Sequence, residues 1–166
     1  MQDYSLKTIL STFTDKKGNK LTIFNPSPVG GISKSFLILL FLTMPILEYF
    51  AIFNKYVYGN IGLVSAIVFY IVFMSIMMML IVMIVYMTKK SVIKKIEPSW
   101  KTYFEDVDLA MVLAVGITPY SDFFKHYSKL LSENLNEEQL YTKLQEIFKI
   151  MEEENSELLI AMQKDN

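Results

Sequence analysis

The 166-residue chain contains no cysteine and no arginine, and it has a single tryptophan and a single histidine. Without cysteine, the chain has no disulfide, no thiolate metal ligand and no thiol nucleophile. Without arginine, it offers no bidentate guanidinium clamp for phosphate or carboxylate groups. These absences exclude several classes of catalytic and metal-binding site before any pattern is considered.

Apolar residues make up 52% of the chain, and its mean hydropathy is +0.33. They are concentrated between Phe36 and Met87, where the only charged residues are Glu48 and Lys55. Apolar stretches of this length are typical of membrane-spanning helices. The sequence therefore predicts an integral membrane protein and excludes a simple soluble globular fold.

Two membrane spans are predicted within the region 36–88. The first extends from about Phe36 to Val57, and the second comprises Ile61–Met87, which carries no charge. At ~1.5 Å per residue the second span would be about 40 Å long, more than the ~30 Å hydrocarbon core, so it should tilt or protrude. Gly59-Asn60 is the predicted turn between the spans.

The distribution of lysine predicts the orientation. Five lysines precede the first span and five lie between Lys89 and Lys101, whereas the short connection holds only Lys55. The positive-inside rule then places both termini in the cytoplasm and the protein in the inner membrane. The N-terminus lacks a basic region leading into an apolar core, so we expect both spans to be retained.

The two halves of the chain have opposite net charges. Residues 1–98 hold ten lysines and four acidic residues, a net charge of +6, and residues 99–166 hold six lysines and thirteen acidic residues, a net charge of −7. The basic half suits an anionic membrane surface. The acidic half should stand in solvent and should repel nucleic acid.

The N-terminal region, residues 1–35, is predicted to form a short β-hairpin and a linker. Residues 8–14 and 20–24 are rich in β-branched and aromatic side chains, which favour strands. Asp15 and Gly18 lie between them and favour a turn. The prolines and glycines of residues 25–31 then break regular structure.

The C-terminal region, residues 89–166, is predicted to be a helical cytoplasmic domain. Pro98 is expected to end the juxtamembrane helix, with Ser99 as a nearby N-cap. A helix is predicted over residues 99–115, and the apolar run Leu109–Ile117 should be buried because it is too short to cross a bilayer.

A further helix is predicted to begin at Thr118-Pro119 and to end near Asn134. The apolar face expected for it comprises Tyr120, Phe123, Phe124, Tyr127, Leu130 and Leu131. The last helix should begin with a capping box at Asn136 and Gln139.

Six apolar residues of this last helix recur at intervals of three, four and seven, as in a coiled coil. They are Leu140, Leu144, Ile147, Met151, Leu158 and Met162. Because such a seam has no role within a bilayer, we predict that it binds a helix of a partner or of another copy of this chain.

Glu48 is the one acidic residue within a predicted span, ~18 Å along the helix from Phe36 and near the bilayer middle. Burying its carboxylate there costs several kcal/mol unless it is neutralised or partnered. Pro45 loosens the backbone one turn earlier, and Tyr70 of the second span is a candidate hydrogen-bond donor. Two interpretations stay open, a proton or cation site and a structural contact, and we favour the structural contact.

Two further patterns favour packing or surface roles. Met79, Met83 and Met87 share one face of the second span, and thioethers bind Cu(I). No cysteine or histidine accompanies them there, so adaptable apolar packing is the simpler interpretation. His126 follows Asp122 by one turn without a nearby nucleophile, which is typical of a pair on a helix surface.

The chain has no P-loop, dinucleotide fingerprint, EF-hand loop or zinc-protease motif. Glu105, Asp106 and Asp108 would point apart on a helix and so should not converge on one ion. We therefore expect no catalytic residue, no metal, no cofactor and no small-molecule substrate.

The sequence predicts a mainly α membrane protein, in which a two-helix transmembrane hairpin joins a short N-terminal β-hairpin to a helical cytoplasmic domain. The expected function is that of a non-enzymatic accessory, scaffold or assembly subunit of a larger membrane complex. Its partners would be the lipid bilayer and either other subunits or copies of itself. The alternative is an oligomeric ion or proton channel, or a transporter subunit, that uses Glu48.

Overall fold

The computed structural model describes residues 3–26, 29–133 and 135–164, with only the backbone of residues 163–164. Two long helices, α2 and α3, form an antiparallel hairpin, and the shorter helices pack around the C-terminal part of α3. The helices of the described part are α1 (Leu6–Phe13), α2 (Lys34–Ile52), α3 (Lys55–Tyr103), α4 (Leu109–Leu113), α5 (Phe123–Leu130), a 3₁₀ turn (Leu131–Glu133), α6 (Glu137–Glu154) and α7 (Ser156–Lys164).

Helices α2 and α3 are each long and apolar enough to cross a membrane. Their large apolar side chains are mostly exposed, as shown by Val64 and Val82, which are 76% and 68% exposed. An apolar surface of this extent is typical of a helix pair that is covered by lipid.

The connection between these helices differs from the predicted Gly59-Asn60 turn, because both of these residues are helical. The chain leaves α2 at Phe53, and the Asn54 side chain accepts hydrogen bonds from the N–H groups of the first turn of α3. Gly62 then has φ 74° and ψ 170°, a left-handed backbone that interrupts the helix and that glycine adopts without strain.

Helix α3 continues from the apolar hairpin into the domain without a break at Pro98, so the predicted helix end there is wrong. Proline removes one helical hydrogen bond to the carbonyl of Lys94. Both Lys94 and Pro98 are exposed, where water can bind that carbonyl. Ser99 is likewise not an N-cap, since it lies inside α3 and its Oγ accepts a hydrogen bond from the Tyr4 N–H at 3.1 Å.

One stripe of α3 is less exposed than its flanks along most of its length, at helical spacing. In the hairpin this stripe comprises Ala66, Tyr70, Met74, Met77, Ile81 and Val85. In the domain it continues through Val92, Ile96, Ser99 and Trp100. The same helix face therefore packs on α2 at one end and forms the domain core at the other.

The predicted N-terminal β-hairpin is wrong, since no strand forms among the described residues and residues 6–13 are helical. The Ser5 side chain caps this helix by accepting from the Thr8 N–H. Leu6, Ile9, Leu10 and Phe13 are all at most 1% exposed. Their spacing of three, four and seven is helical, and burial of this face outweighs the strand preference of the β-branched residues.

The turn predicted after this segment is confirmed. The Asp15 carboxylate accepts hydrogen bonds from the backbone N–H groups of Lys17 and Asn19 at 2.8 and 2.9 Å. Gly18 has φ 83°, and a Cβ placed there would lie 2.7 Å from the Cα of Ser128. Glycine is therefore required both by the backbone and by the close approach to α5.

The domain core is built around the single tryptophan. Trp100 is 1% exposed, and its Nε1–H donates to the Val107 carbonyl at 2.8 Å. The Phe123 and Phe148 rings stack at 4.9 Å and meet Trp100 edge-on. Residues of α1 and of the segment around Val29 belong to this same core, so the N-terminal and C-terminal regions form one packed unit.

The predicted helix over residues 99–115 is replaced by the end of α3 and a five-residue α4, which Asp108 caps at the Ala110 N–H. Within Leu109–Ile117, which the sequence predicts to be buried, Leu109, Val112 and Leu113 are buried, but Val115 and Ile117 are 93% and 86% exposed. The next helix begins at Phe123 rather than at Pro119. Its predicted apolar face is buried except for Leu131, and Asn134 lies outside the described residues.

The capping box at Asn136 and Gln139 is confirmed. The coiled-coil-like seam, however, is divided at Asn155, where α6 ends. Leu140, Leu144 and Met151 are buried in the domain's own core. Ile147, Leu158 and Met162 are half-buried.

We expect Leu144→Ala to lower the free energy of unfolding of the domain by about 2–5 kcal/mol, because it leaves a cavity where the side chain is fully buried. Ile150→Ala, on the exposed face of the same helix, should change it by about 0.5 kcal/mol or less. Trp100 fluorescence during urea unfolding in detergent measures both. Equal losses for the two variants would contradict the packing of α6.

Candidate functional site

Glu48 carries a carboxyl group that the α2–α3 hairpin shields from solvent and leaves without a hydrogen-bond partner. Both carboxylate oxygens are shielded from solvent, and neither has a hydrogen-bond partner among the described residues. Pro45 lies within α2 one turn earlier, as predicted, and the helix continues past it. The carboxyl group is therefore enclosed between two apolar helices without a polar contact.

The register of the hairpin separates Glu48 from Tyr70. The Tyr70 ring lies 6.3 Å from the ring of Phe53, and Phe41 shares an apolar cavity with Val82. Interpolating between these two contacts places the level of Glu48 on α3 about one helical turn beyond Tyr70. The expected hydrogen bond between them is not formed, because the antiparallel register is centred near Gly62, a few residues after the predicted Gly59-Asn60 turn.

Met74 occupies the less exposed stripe of α3 near this level. A thioether is a weak acceptor and cannot stabilise a carboxylate. Lys55 is also no partner, since Glu48 belongs to neither ion pair of the described residues, Lys101–Glu97 and Lys143–Glu133. Leaving a carboxyl group in these surroundings without a partner costs free energy, which a hydrogen-bond donor from outside the hairpin would offset.

A second polar feature lies where the apolar part of α3 ends. Its lysines are Lys89, Lys90, Lys94 and Lys95. Lys89 Nζ lies 5.3 Å from the centre of the Phe24 ring, and Lys95 Nζ donates to the Val29 carbonyl at 3.3 Å. These contacts fix the N-terminal segment against the start of the domain and leave a basic rim at the end of the hairpin.

Lys20 belongs to the same rim. Its Nζ donates to the carbonyls of Leu113 and Ala114, both at 2.7 Å. Burial, and then the charge of Lys89, lowers the pKa of the Lys20 ammonium. Nothing in the local sequence pattern marks this lysine, because its partners lie far away along the chain.

Glu137 is a polar contact that the sequence pattern did not reveal. Its Oε1 accepts from the Leu6 N–H at 2.8 Å and from the Tyr103 hydroxyl at 3.1 Å. One carboxylate thus connects α1, α3 and α6. Burial, and then Glu137, raises the pKa of the Tyr103 phenol. The contact is structural, since it satisfies the N-terminus of α1.

The methionines of α3 and the His126–Asp122 pair do not form a site. Met79, Met83 and Met87 are more than half exposed on the outer face of α3. His126 and Asp122 share only a backbone hydrogen bond of α5. No group of three His, Asp or Glu side chains suited to a metal ion occurs in the part of the chain that the structure describes.

The chain matches no protein-family model, and comparison with curated proteins and with solved structures gives no significant match.

We expect Glu48→Gln to preserve the membrane level of the protein, because the amide keeps the shape without requiring a charge. Glu48→Lys should lower it, because it introduces a cation of different shape among apolar neighbours. Leu47→Ala, a neighbour that is 59% exposed, is the matched control. Immunodetection in membrane fractions measures all three. Equal levels for the lysine variant and the control would contradict the enclosure of Glu48.

Proposed function

We propose that this chain is a small, non-enzymatic inner-membrane protein that serves as an accessory, scaffold or assembly subunit of a larger membrane complex. The helical domain and both termini lie on the cytoplasmic side. The partners are the bilayer and other membrane subunits or copies of this chain, and no nucleic acid, metal or cofactor is involved.

The observation that carries this proposal is the continuity of α3. The helix passes from an apolar, exposed surface at Val82 into the domain core, where Ile96 and Trp100 are at most 1% exposed. No flexible linker separates the two parts, so motion of the domain is coupled to motion of the spans. Such rigid coupling suits a protein that holds an interaction surface at a fixed position on a membrane.

Helix α7 supports a role in association. Leu140, Leu144 and Met151 are used by the domain itself, so the part of the seam left for a partner is Leu158 and Met162, together with the 54% exposed Ile160. The predicted partner contact is therefore narrowed to residues 156–164.

The alternative, an oligomeric channel or transporter subunit, is supported by Glu48 alone. A shielded carboxyl group without a partner in one copy would gain a hydrogen bond if several copies met around it. The two proposals differ in what Glu48→Gln does to activity, since proton or cation transfer needs an ionisable group and a structural contact does not.

Purification of the full chain from its native membrane in mild detergent, followed by native mass measurement, tests the two proposals. An accessory subunit is expected in a complex that contains other proteins. Truncation after Asn155 should then release those proteins and leave membrane insertion and Trp100 fluorescence unchanged. A homo-oligomer that conducts ions and is inactivated by Glu48→Gln would instead establish the alternative.

The orientation is tested by labelling, which the absence of cysteine makes simple. Tyr56→Cys, at an 84% exposed position in the first turn of α3, should react with an impermeant maleimide on intact cells. Glu153→Cys, exposed on α6, should react only after the membrane is opened. The reverse pattern would contradict the positive-inside assignment.

A further inference from the structure

The loop between α4 and α5 carries the most exposed apolar side chains of the domain. Val115 and Ile117 are 93% and 86% exposed, whereas Leu113 and Thr118 on either side are buried. The other exposed apolar residues of the domain, Leu131, Ile150 and Ile160, are 39%, 49% and 54% exposed, so Val115 and Ile117 present much more apolar surface to water than they do.

The base of this loop is held by polar contacts. The Thr118 hydroxyl donates to the Met111 carbonyl at 3.2 Å, and the Thr118 N–H donates to the Ser121 hydroxyl at 2.8 Å. The Ser121 hydroxyl also lies 3.3 Å from the Gly116 carbonyl. The two apolar side chains are therefore presented by a structured loop.

The N-terminal segment gives the position of this loop relative to the hairpin. Thr22 and Ile23 line a cavity together with Val85 and Lys89 of α3, at the end of the uncharged stretch. Ile23 also lines the apolar cavity between α2 and α3. Residues 22–23 thus lie at the boundary between the apolar hairpin and the domain.

Lys20, two residues earlier, connects this boundary to the loop through its hydrogen bonds to the carbonyls of Leu113 and Ala114. The start of the loop is therefore one lysine side chain away from residue 20, and residue 20 is two residues from the boundary of the apolar hairpin. Lys20 is close enough to Lys89 for the two charges to interact, and lysines at this boundary suit anionic lipid headgroups.

We propose that Val115 and Ile117 insert into the interface of the same bilayer leaflet in which the hairpin ends, as a third membrane contact of the chain. This inference rests on the proposed insertion of α2 and α3 into a membrane. The occupant is lipid, because Lys20 joins the loop to the segment that lies at the boundary of the apolar hairpin, and lysines flank that boundary. The contact would fix the tilt of the domain on the membrane surface.

The test uses the full chain in nanodiscs of phosphatidylcholine and phosphatidylglycerol, with single cysteines carrying an environment-sensitive fluorophore and with nitroxide-bearing lipids as quenchers. Val115→Cys and Ile117→Cys probe the loop, and Val82→Cys probes the hairpin. Thr102→Cys, exposed near the end of α3 and ~20 Å along the helix from Met87, is the control in water. Trp100 emission verifies that each variant is folded.

We expect blue-shifted emission and nitroxide quenching at Val115, Ile117 and Val82, and neither at Thr102. Quenching at Val82 without quenching at the loop would overturn this inference and leave the membrane hairpin intact. Absence of quenching at Val82 would overturn the proposed insertion itself. Quenching at Thr102 as well as at the loop would indicate a domain lying unspecifically on the surface, which also contradicts a specific loop contact.

Discussion

The structure depends on helix α3, which is a single helix in two different environments: an exposed apolar hairpin and a buried domain core. Its apolar part exposes side chains such as Val82, as a lipid-covered helix does. Its C-terminal part supplies Ile96 and Trp100 to an aromatic core. Because the helix is continuous between these parts, one helical register sets both the face that meets α2 and the face around which the domain is built.

The domain is assembled from chain segments that lie before and after the α2–α3 hairpin in the sequence. Helix α1 and the segment around Val29 precede α2 in the chain, yet they share one core with helices α4 to α6. Glu137 fixes this arrangement by accepting hydrogen bonds from α1 and α3. Lys95 does the same near the membrane end by donating to the Val29 carbonyl. The α2–α3 hairpin thus interrupts the domain's sequence between α1 and α4, so the pairing of these two helices and the folding of the domain constrain each other.

Glu48 is the residue of the hairpin whose burial costs free energy. Each of its oxygens is shielded and without a hydrogen bond among the described residues, an arrangement that costs free energy unless a partner supplies a hydrogen-bond donor. In an accessory subunit the partner would be a donor on another membrane helix, and the cost would favour the assembled state over the free one. In a channel the same property would serve proton or cation passage. The geometry of Glu48 in a single copy is compatible with both functions.

The sequence by itself determined the features that depend on local composition: the helical class, two helices apolar enough for a membrane, the Asp15–Gly18 turn and the capping box at Asn136. Predictions from the sequence were wrong where the local structure depends on contacts with a distant part of the chain. Residues 6–13 have β-branched side chains, but they form a helix because α3 and α6 offer a surface that buries its apolar face. The spacing of the α6 seam predicts a partner surface, yet Leu144 is buried in the core that α6 shares with α1, α3 and α5. The Glu48–Tyr70 pairing depended on the hairpin register, which Asn54 and Gly62 set. Periodicity shows that a face will be buried, but only the tertiary structure decides which surface buries it.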